Sequence, residues 1–308
     1  MHTKSRSFLE WQDVRKSPTE SPSKPLIEIK KQDAFKFLAA LDAGSIDLII
    51  SSPPYCMGKV YESSINTADF LDMHERLAPL LARALKNGGS LCWQIGHHVH
   101  NGVVTPLDAL VYAVFSKQKE LLLRNRIVWT FAHGVHANRR FSGRHETVLW
   151  FTKGDDYSFN LDAVRVPQKY PGKRHYKGPK KGEFSGNPLG KNPSDVWEIP
   201  NVKANHIEKT KHPCQFPVAL PQRLIRALVP EDGVVSDPFL GSGTSAVAAC
   251  LEGRRFVGCE IQQGYIDIAR ERVANAKTKT PRFRPAEKPI YTPTATEAVA
   301  RRPAHFKV

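Results

Sequence analysis

No stretch of the 308 residues approaches the roughly 18 consecutive apolar residues that a membrane-spanning helix needs. That absence argues against a helical membrane protein. The opening residues MHTKSRSFLEWQ hold no apolar run of the signal-peptide kind. Cysteine is scarce: five residues, at 56, 92, 214, 250 and 259, with no C-x-x-C pair. This spacing suggests neither a disulfide framework nor a zinc site, and no metal centre is expected. A soluble cytoplasmic protein with free thiols is the expectation. Acidic residues are also short in supply. Thirty Asp and Glu face forty-five Lys and Arg, a formal charge of +15, which points to a polyanionic partner, nucleic acid first.

What is present is an alternation of short apolar strands and amphipathic helices. Residues 1–24 are polar and are expected to form a flexible arm. Strands are expected at 26–29, 47–50, 90–95, 126–131, 147–152, 233–236 and 255–259. Helices are expected at 33–38, 68–85, 106–119, 217–228, 245–252 and 265–276. Asn87-Gly88-Gly89 reads as the stop of the second helix. The run Asp47-Leu48-Ile49-Ile50 is continuously apolar after its first residue, as in buried parallel strands. A polar loop, 133–145, joins two of the strands, and 155–210 has little helical period, much Gly, Pro and Asn, and one short strand at 195–199. The tail from 277 is rich in Pro, Thr and Arg and is expected to be disordered. The pattern is that of an open α/β sheet, whose ligands bind outside the carboxyl ends of the strands.

Two such strand ends carry unusual residues. At one, the strand ending in Ser236-Asp237 runs through Pro238-Phe239-Leu240 into Gly241-Ser242-Gly243-Thr244 and a new helix. Glycines there let backbone approach a ligand closely. Glu260, ending the next strand, stands where an acid hydrogen-bonds a ribose. Gly241-x-Gly243-x-x-Ala246 also matches a dinucleotide fingerprint by letter. However, the carboxylate of Asp237 would repel a pyrophosphate and suits a cationic group such as the ammonium of a methionine moiety. That favours S-adenosylmethionine over NAD.

At the other end, Ile50-Ser51 leads into Ser52-Pro53-Pro54-Tyr55. Proline fixes its own φ and holds the preceding residue extended, so this segment is stiff. A serine oxygen and a proline carbonyl side by side can both accept from one –NH2 group, while Tyr55 offers a flat face to a base.

Together, Ser52-Pro53-Pro54-Tyr55 and Asp237-Pro238-Phe239-x-Gly241-x-Gly243 resemble the motifs of the S-adenosylmethionine-dependent amino methyltransferases of DNA. The catalytic motif precedes the cofactor motif, as in the circularly permuted β class. Lys31-Gln32-Asp33-Ala34-Phe35 is similar to that family's first-strand segment, with Gln32 replacing the usual glycine. His212-Pro213-Cys214-Gln215-Phe216-Pro217 is similar to its H-P-x-Q-K-P segment, with Phe216 where lysine is common. The resemblance implies a Rossmann-like, mostly parallel sheet with an antiparallel hairpin. It implies a catalytic half over 25–154, an irregular basic target-recognition insert over 155–210 and a cofactor half over 211–276. Ser52, Pro53, Pro54 and Tyr55 become the expected catalytic residues. Asp33, with an adenine contact, Ser51, His212, Gln215, Asp237, Phe239, Gly241, Ser242, Gly243, Thr244 and Glu260 become the expected cofactor residues.

The implied partner is double-stranded DNA, and the resemblance leaves room for a cognate restriction endonuclease sharing the target site; oligomeric state stays open. Arg139, Arg140 and Arg144 in the 133–145 loop, and Lys173, Arg174 and Lys177 in the insert, are the expected phosphate and base contacts. Serine before Pro-Pro-Tyr resembles the cytosine-N4 enzymes more than the adenine-N6 ones, although serine variants exist among the latter. Pro213-Cys214-Gln215 mimics the nucleophile of cytosine-C5 enzymes, but an exocyclic amine needs no covalent help. Cys214 is therefore expected to be structural and remote from the Pro-Pro-Tyr strand end. An RNA or protein-amine methyltransferase, an NAD-dependent oxidoreductase and a non-catalytic DNA-binding module are the competing readings.

Overall fold

The computed structural model describes residues 26–55, 67–132, 134, 136–203, 205–278, 281–285 and 288. The arm expected over 1–24 lies outside them, as do Cys56 and most of the tail.

In chain order the elements are β1 (Ile27–Lys31), α1 (Ala34–Ala40), β2 (Ile46–Ser51), α2 (Thr67–Ala84), β3 (Leu85–Ile95), β4 (His98–His100), β5 (Val103–Thr105) and α3 (Leu107–Phe115). There follow β6 (Leu121–Thr130), β7 (His145–Lys153), β8 (Val196–Glu198), α4 (Ala219–Leu228), β9 (Val234–Asp237), α5 (Thr244–Leu251), β10 (Arg255–Glu260) and α6 (Gln263–Lys277). Eight strands make one sheet in the order β1-β10-β9-β2-β3-β7-β6-β8. All neighbours are parallel except where β7 pairs with β3 and β6, so β7 alone runs against the rest. This is the Rossmann-like mixed sheet in permuted order.

Strand β2 shows why the sheet is a middle layer. Every residue of it is buried, and after the register shift between Ile46 and Leu48 the side chains alternate between faces as a pleated strand requires. Leu48 and Ile50 join the core formed with α4, α5 and α6. Ile46 and Ile49 join the core formed with α1, α2 and α3. The one polar residue within the run, Asp47, is held by Lys86 Nζ at 2.8 Å and by the backbone N–H of Val234 at 2.8 Å. Helix α2 buries Phe70, His74, Leu77, Ala78 and Leu81, one stripe at helical spacing.

Several expectations need correction. Asn87-Gly88-Gly89 does not cap α2: β3 begins at once at Leu85, and the glycines fall in a register shift against β2. Gly88 has φ 78°, and a Cβ there would collide with the carbonyl of Asp156. Strand β6 starts earlier than expected, and α3 ends earlier. The β4–β5 ribbon was not anticipated, although its turn residues Asn101 (φ 48°) and Gly102 (φ 80°) are an Asn-Gly pair, the strongest local hairpin signal. The tail is not wholly loose. Phe283 packs on the α4–α6 core, and the N–H of Arg284 donates to buried Glu208 at 3.1 Å. The 155–210 insert is irregular as expected, stitched by the bridges Val166–Lys191 and Arg174–Phe184, and anchored where β8 pairs with β6.

Candidate active site

Strands β2 and β9 are adjacent and parallel, with Ile49 opposite Ser236. The Pro-Pro-Tyr segment and the glycine loop therefore leave the sheet side by side, at the switch point where such sheets bind ligands. One cavity of about 820 Å³ opens between them, within the range of small-molecule and cofactor sites. Twelve of the expected residues line it: Asp33, Ser52, Pro53, Pro54, Tyr55, His212, Gln215, Phe239, Gly241, Ser242, Thr244 and Glu260.

Ser51, Asp237 and Gly243 do not line the cavity and stand behind its wall. Asp237 was expected to meet a cationic ligand. Its carboxylate instead turns inward, where Oδ1 accepts from Ser51 Oγ at 2.5 Å and from the N–H of Phe239 at 3.0 Å, and Oδ2 from Ser245 Oγ at 2.5 Å. Burial raises its pKa to about 6, against the pull of those hydrogen bonds. Its role here is to tie β2, the glycine loop and α5 together. Gly243 (φ 80°) precedes α5 and is pressed against α6, where a Cβ would come within 2.6 Å of Ala269 Cβ. Gly241 (φ 52°) faces the His212 ring, whose Nε2 would be 2.9 Å from any Cβ there. The His212 ring in turn meets Tyr265 edge-on, centroids 4.4 Å apart.

Three carboxylates line the cavity, and two of them, Asp33 and Glu260, are fixed by backbone N–H groups. Asp33 caps α1, its Oδ1 accepting from the N–H groups of Phe35 (3.0 Å) and Lys36 (3.2 Å). Glu260 accepts from the N–H groups of Ile261 and Gln262, both at 2.9 Å, and of Gly241 at 3.0 Å. It therefore fixes the glycine loop as well as facing the ligand space.

The Tyr55 hydroxyl accepts from the N–H of Gly96 at 2.8 Å. Burial, then the charge of Glu146, pushes its phenol well above the ordinary range, so the ring is neutral. Gln94 Nε2 donates to Glu146 Oε2 at 2.5 Å beside it. Gln94, Glu146, Trp129 and Phe131 all line the cavity, and sequence reasoning missed all four. Gln94 had a signal: a polar residue within the apolar run Leu91-Cys92-Trp93-Gln94-Ile95. The others belong to β6, β7 and the segment just after β6, and reach the site only through sheet order.

Arg272 was also missed. From α6 its Nη1 donates to Ser242 O (2.8 Å), Ser242 Oγ (3.2 Å) and Thr244 Oγ1 (2.9 Å), so it grips the glycine loop from behind. Its Nη2 lies 3.8 Å from the buried carboxylate of Glu208, which also accepts from the N–H of Val218 at 2.9 Å.

The expected DNA residues lie on the surface outside the cavity. Arg139, Arg140, Lys173, Arg174 and Lys177 are exposed. Arg174 has local duties, donating to Gly182 O at 2.6 Å with its guanidinium 4.1 Å above the Phe184 ring. Arg144 is half-buried and donates to Gly143 O at 2.9 Å. Cys214 departs from expectation. It is exposed and lines the same cavity as Pro-Pro-Tyr. The cause is the loop before α4, which folds back over the cavity. Among the described residues no cluster of His, Cys, Asp or Glu could hold a metal ion, and no helix is long and apolar enough to cross a membrane.

A family profile of the N6/N4 group, described as DNA methylase, matches residues 46–271. The chain is 44% identical over 253 residues to the type II methyltransferase M.BglII of Bacillus subtilis, covering 82% of this chain and 70% of that one. It is 37% identical to the type II methyltransferase M.ScaI of Streptomyces caespitosus, with coverages of 77% and 78%. It is 30% identical to the DNA adenine methyltransferase YhdJ of Escherichia coli (strain K12), with coverages of 78% and 80%. Among solved structures, the cytosine-N4-specific PvuII DNA methyltransferase shares the fold, with a TM-score of 0.64, 19% identity and coverages of 83% and 93%. A Thermus thermophilus protein described as a DNA modification methylase, complexed with S-adenosyl-L-methionine, aligns with a TM-score of 0.59 at 25% identity, covering 82% and 94%.

Proposed function

The chain belongs to the N6/N4 DNA methylase family, and from that premise we propose that it methylates cytosine N4 in double-stranded DNA as the modification enzyme of a type II restriction system. The methyl donor is S-adenosylmethionine. The observation that carries this reading is the pairing of β2 with β9, which sets Ser52-Pro53-Pro54-Tyr55 and the glycine loop around one cavity.

The lining residues suit that donor. Gly241 and Ser242 give close backbone approach, Glu260 offers carboxylate oxygens to a ribose diol, and Asp33 stands where an adenine amino group can donate. When bound, the cofactor supplies an electrophilic methyl group. The protein's own part is to hold the amine in line with it and to accept its hydrogens. Ser52 Oγ and the Pro53 carbonyl are the proposed acceptors. As the amine nitrogen attacks, it becomes positive and its hydrogens turn acidic, so fixed acceptors stabilise the transition state more than the ground state. Tyr55, neutral and pinned at Gly96, stacks on the extruded base and supplies the positioning term. A base inside the duplex cannot reach the cavity, so flipping is part of the reading. The basic 133–145 loop and insert hold the phosphates.

The choice of cytosine rests on Ser52 standing before Pro-Pro-Tyr. One observation favours adenine N6 instead: the 30% identity to an adenine methyltransferase over most of both chains. Purified protein, methyl-labelled S-adenosylmethionine and duplex DNA, followed by mass spectrometry of the nucleosides, decide between them. N4-methylcytosine is expected. N6-methyladenine would overturn the base assignment, and label in RNA or protein but not in DNA would overturn the substrate class.

A further inference from the structure

The most exposed large apolar side chain among the described residues is Phe141, 99% accessible. It stands in the loop between β6 and β7, next to the exposed guanidinium groups of Arg139 and Arg140. The described residues of the loop are tied together. Its base is closed by the N–H of Phe131 donating to Arg144 O at 3.0 Å, and its tip by the N–H of Ala137 donating to Ser142 Oγ at 3.1 Å. The flanking residues Phe131 and Glu146 both line the catalytic cavity. Gly143, two residues beyond Phe141, packs against His97, where a Cβ would come within 2.8 Å of the ring. His97 follows Gly96, which anchors the Tyr55 hydroxyl. The fold therefore carries a bare aromatic ring on the loop whose two flanks line the site that would receive a flipped base.

Among the described residues, a ring this exposed beside two consecutive arginines packs on no neighbour. An apolar protein surface would cover the ring only by stripping water from Arg139 and Arg140. Duplex DNA meets both needs, because its phosphates take the cations and its stacked bases take the ring. Resting on the DNA-methylation reading, we infer that Phe141 is the wedge that enters the base stack when the target base is extruded, with Arg139 and Arg140 holding the flanking phosphates. Extrusion leaves a gap and costs stacking. An inserted apolar side chain fills such a gap, and an aromatic one restores part of the stacking.

The test compares wild type, Phe141→Ala and Phe141→Trp on two duplexes carrying the mapped site. One is fully paired. The other has an abasic position opposite the target, so that the base is already loosened. A 2-aminopurine next to the target reports extrusion. For Phe141→Ala, kcat/KM on the paired duplex should fall about tenfold or more, the scale of one lost base–aromatic stack. The fluorescence rise should fall with it, S-adenosylmethionine affinity should be unchanged, and most activity should return on the abasic duplex. Phe141→Trp should stay near wild type. Phe141→Ala within twofold of wild type on the paired duplex would overturn the wedge alone. Equal losses on both duplexes, including any that accompany a change in sedimentation, would overturn it in favour of a contact between copies or a loop defect. A wild-type protein inert on both duplexes would overturn the DNA reading and the wedge with it.

Discussion

Ser51 and Asp237, 186 residues apart in the chain, meet through a buried 2.5 Å hydrogen bond between the two strand ends that frame the cavity. This contact couples the proposed catalytic segment to the cofactor loop, since Ser52 follows one partner and Pro238 the other. Ser51→Ala removes a hydrogen bond to a buried acid, a change worth about 1.5–3 kcal/mol. Urea unfolding should show that loss, and S-adenosylmethionine affinity should weaken although Ser51 does not line the cavity. Unchanged affinity would mean that the two strand ends are positioned independently.

The same acid makes stability depend on pH in a direction opposite to the usual carboxylate. Its folded pKa is raised to about 6 because burial disfavours the charge. The folded state therefore holds the proton more tightly than the unfolded one. As pH rises from about 4 to about 6 the contribution of Asp237 to stability should fall, by on the order of 3 kcal/mol, and then level off. Asp237→Asn removes the titration. The difference in unfolding free energy between wild type and Asp237→Asn should move by that amount across the window, and a pH-independent difference would refute the assignment.

Arg272 grips the glycine loop through three hydrogen bonds and faces the buried Glu208. Arg272→Ala frees the loop and strands that acid. Loss of one partner of a buried pair costs about 3–5 kcal/mol, and calorimetry should also show weaker cofactor binding. Adding Glu208→Gln should recover part of the stability but not the affinity, because the glutamine relieves the stranded charge and cannot reach the loop. Full recovery of both would place the whole effect in the buried pair.

Ser52 and Cys214 line one cavity but carry opposite expectations. Ser52→Ala should reduce kcat by about 10²-fold or more, the scale of one lost transition-state contact, with cofactor binding intact. Cys214→Ala should leave kcat within about twofold, because attack by an exocyclic amine needs no enzyme thiolate. A dead but folded Cys214→Ala protein would point to a covalent carbon-methylation route instead.

The strands, the helices and both motifs were legible in the sequence because each rests on local chemistry. Alternation, caps, glycine turns and rigid prolines act within a few residues of themselves. The β4–β5 ribbon has a local signal too, the Asn101-Gly102 turn. The partners of those motifs were not legible. Gln94 and Glu146 meet because β3 pairs with β7, and Arg272 reaches Ser242 because α6 packs across the glycine loop. Cys214 enters the cavity because its loop folds back, a path no short-range pattern encodes.

By itself, then, the sequence determined which elements form and where two reactive loops leave the sheet, since those are set by propensity and periodicity. Only the tertiary structure decided that β9 lies beside β2. That adjacency turns Asp237 from an expected ligand contact into a buried clamp, because a carboxylate facing Ser51 and Ser245 across 2.5 Å has both oxygens engaged. It also decided that Phe141 stands bare on the loop flanked by cavity residues, since exposure is a property of the packed whole.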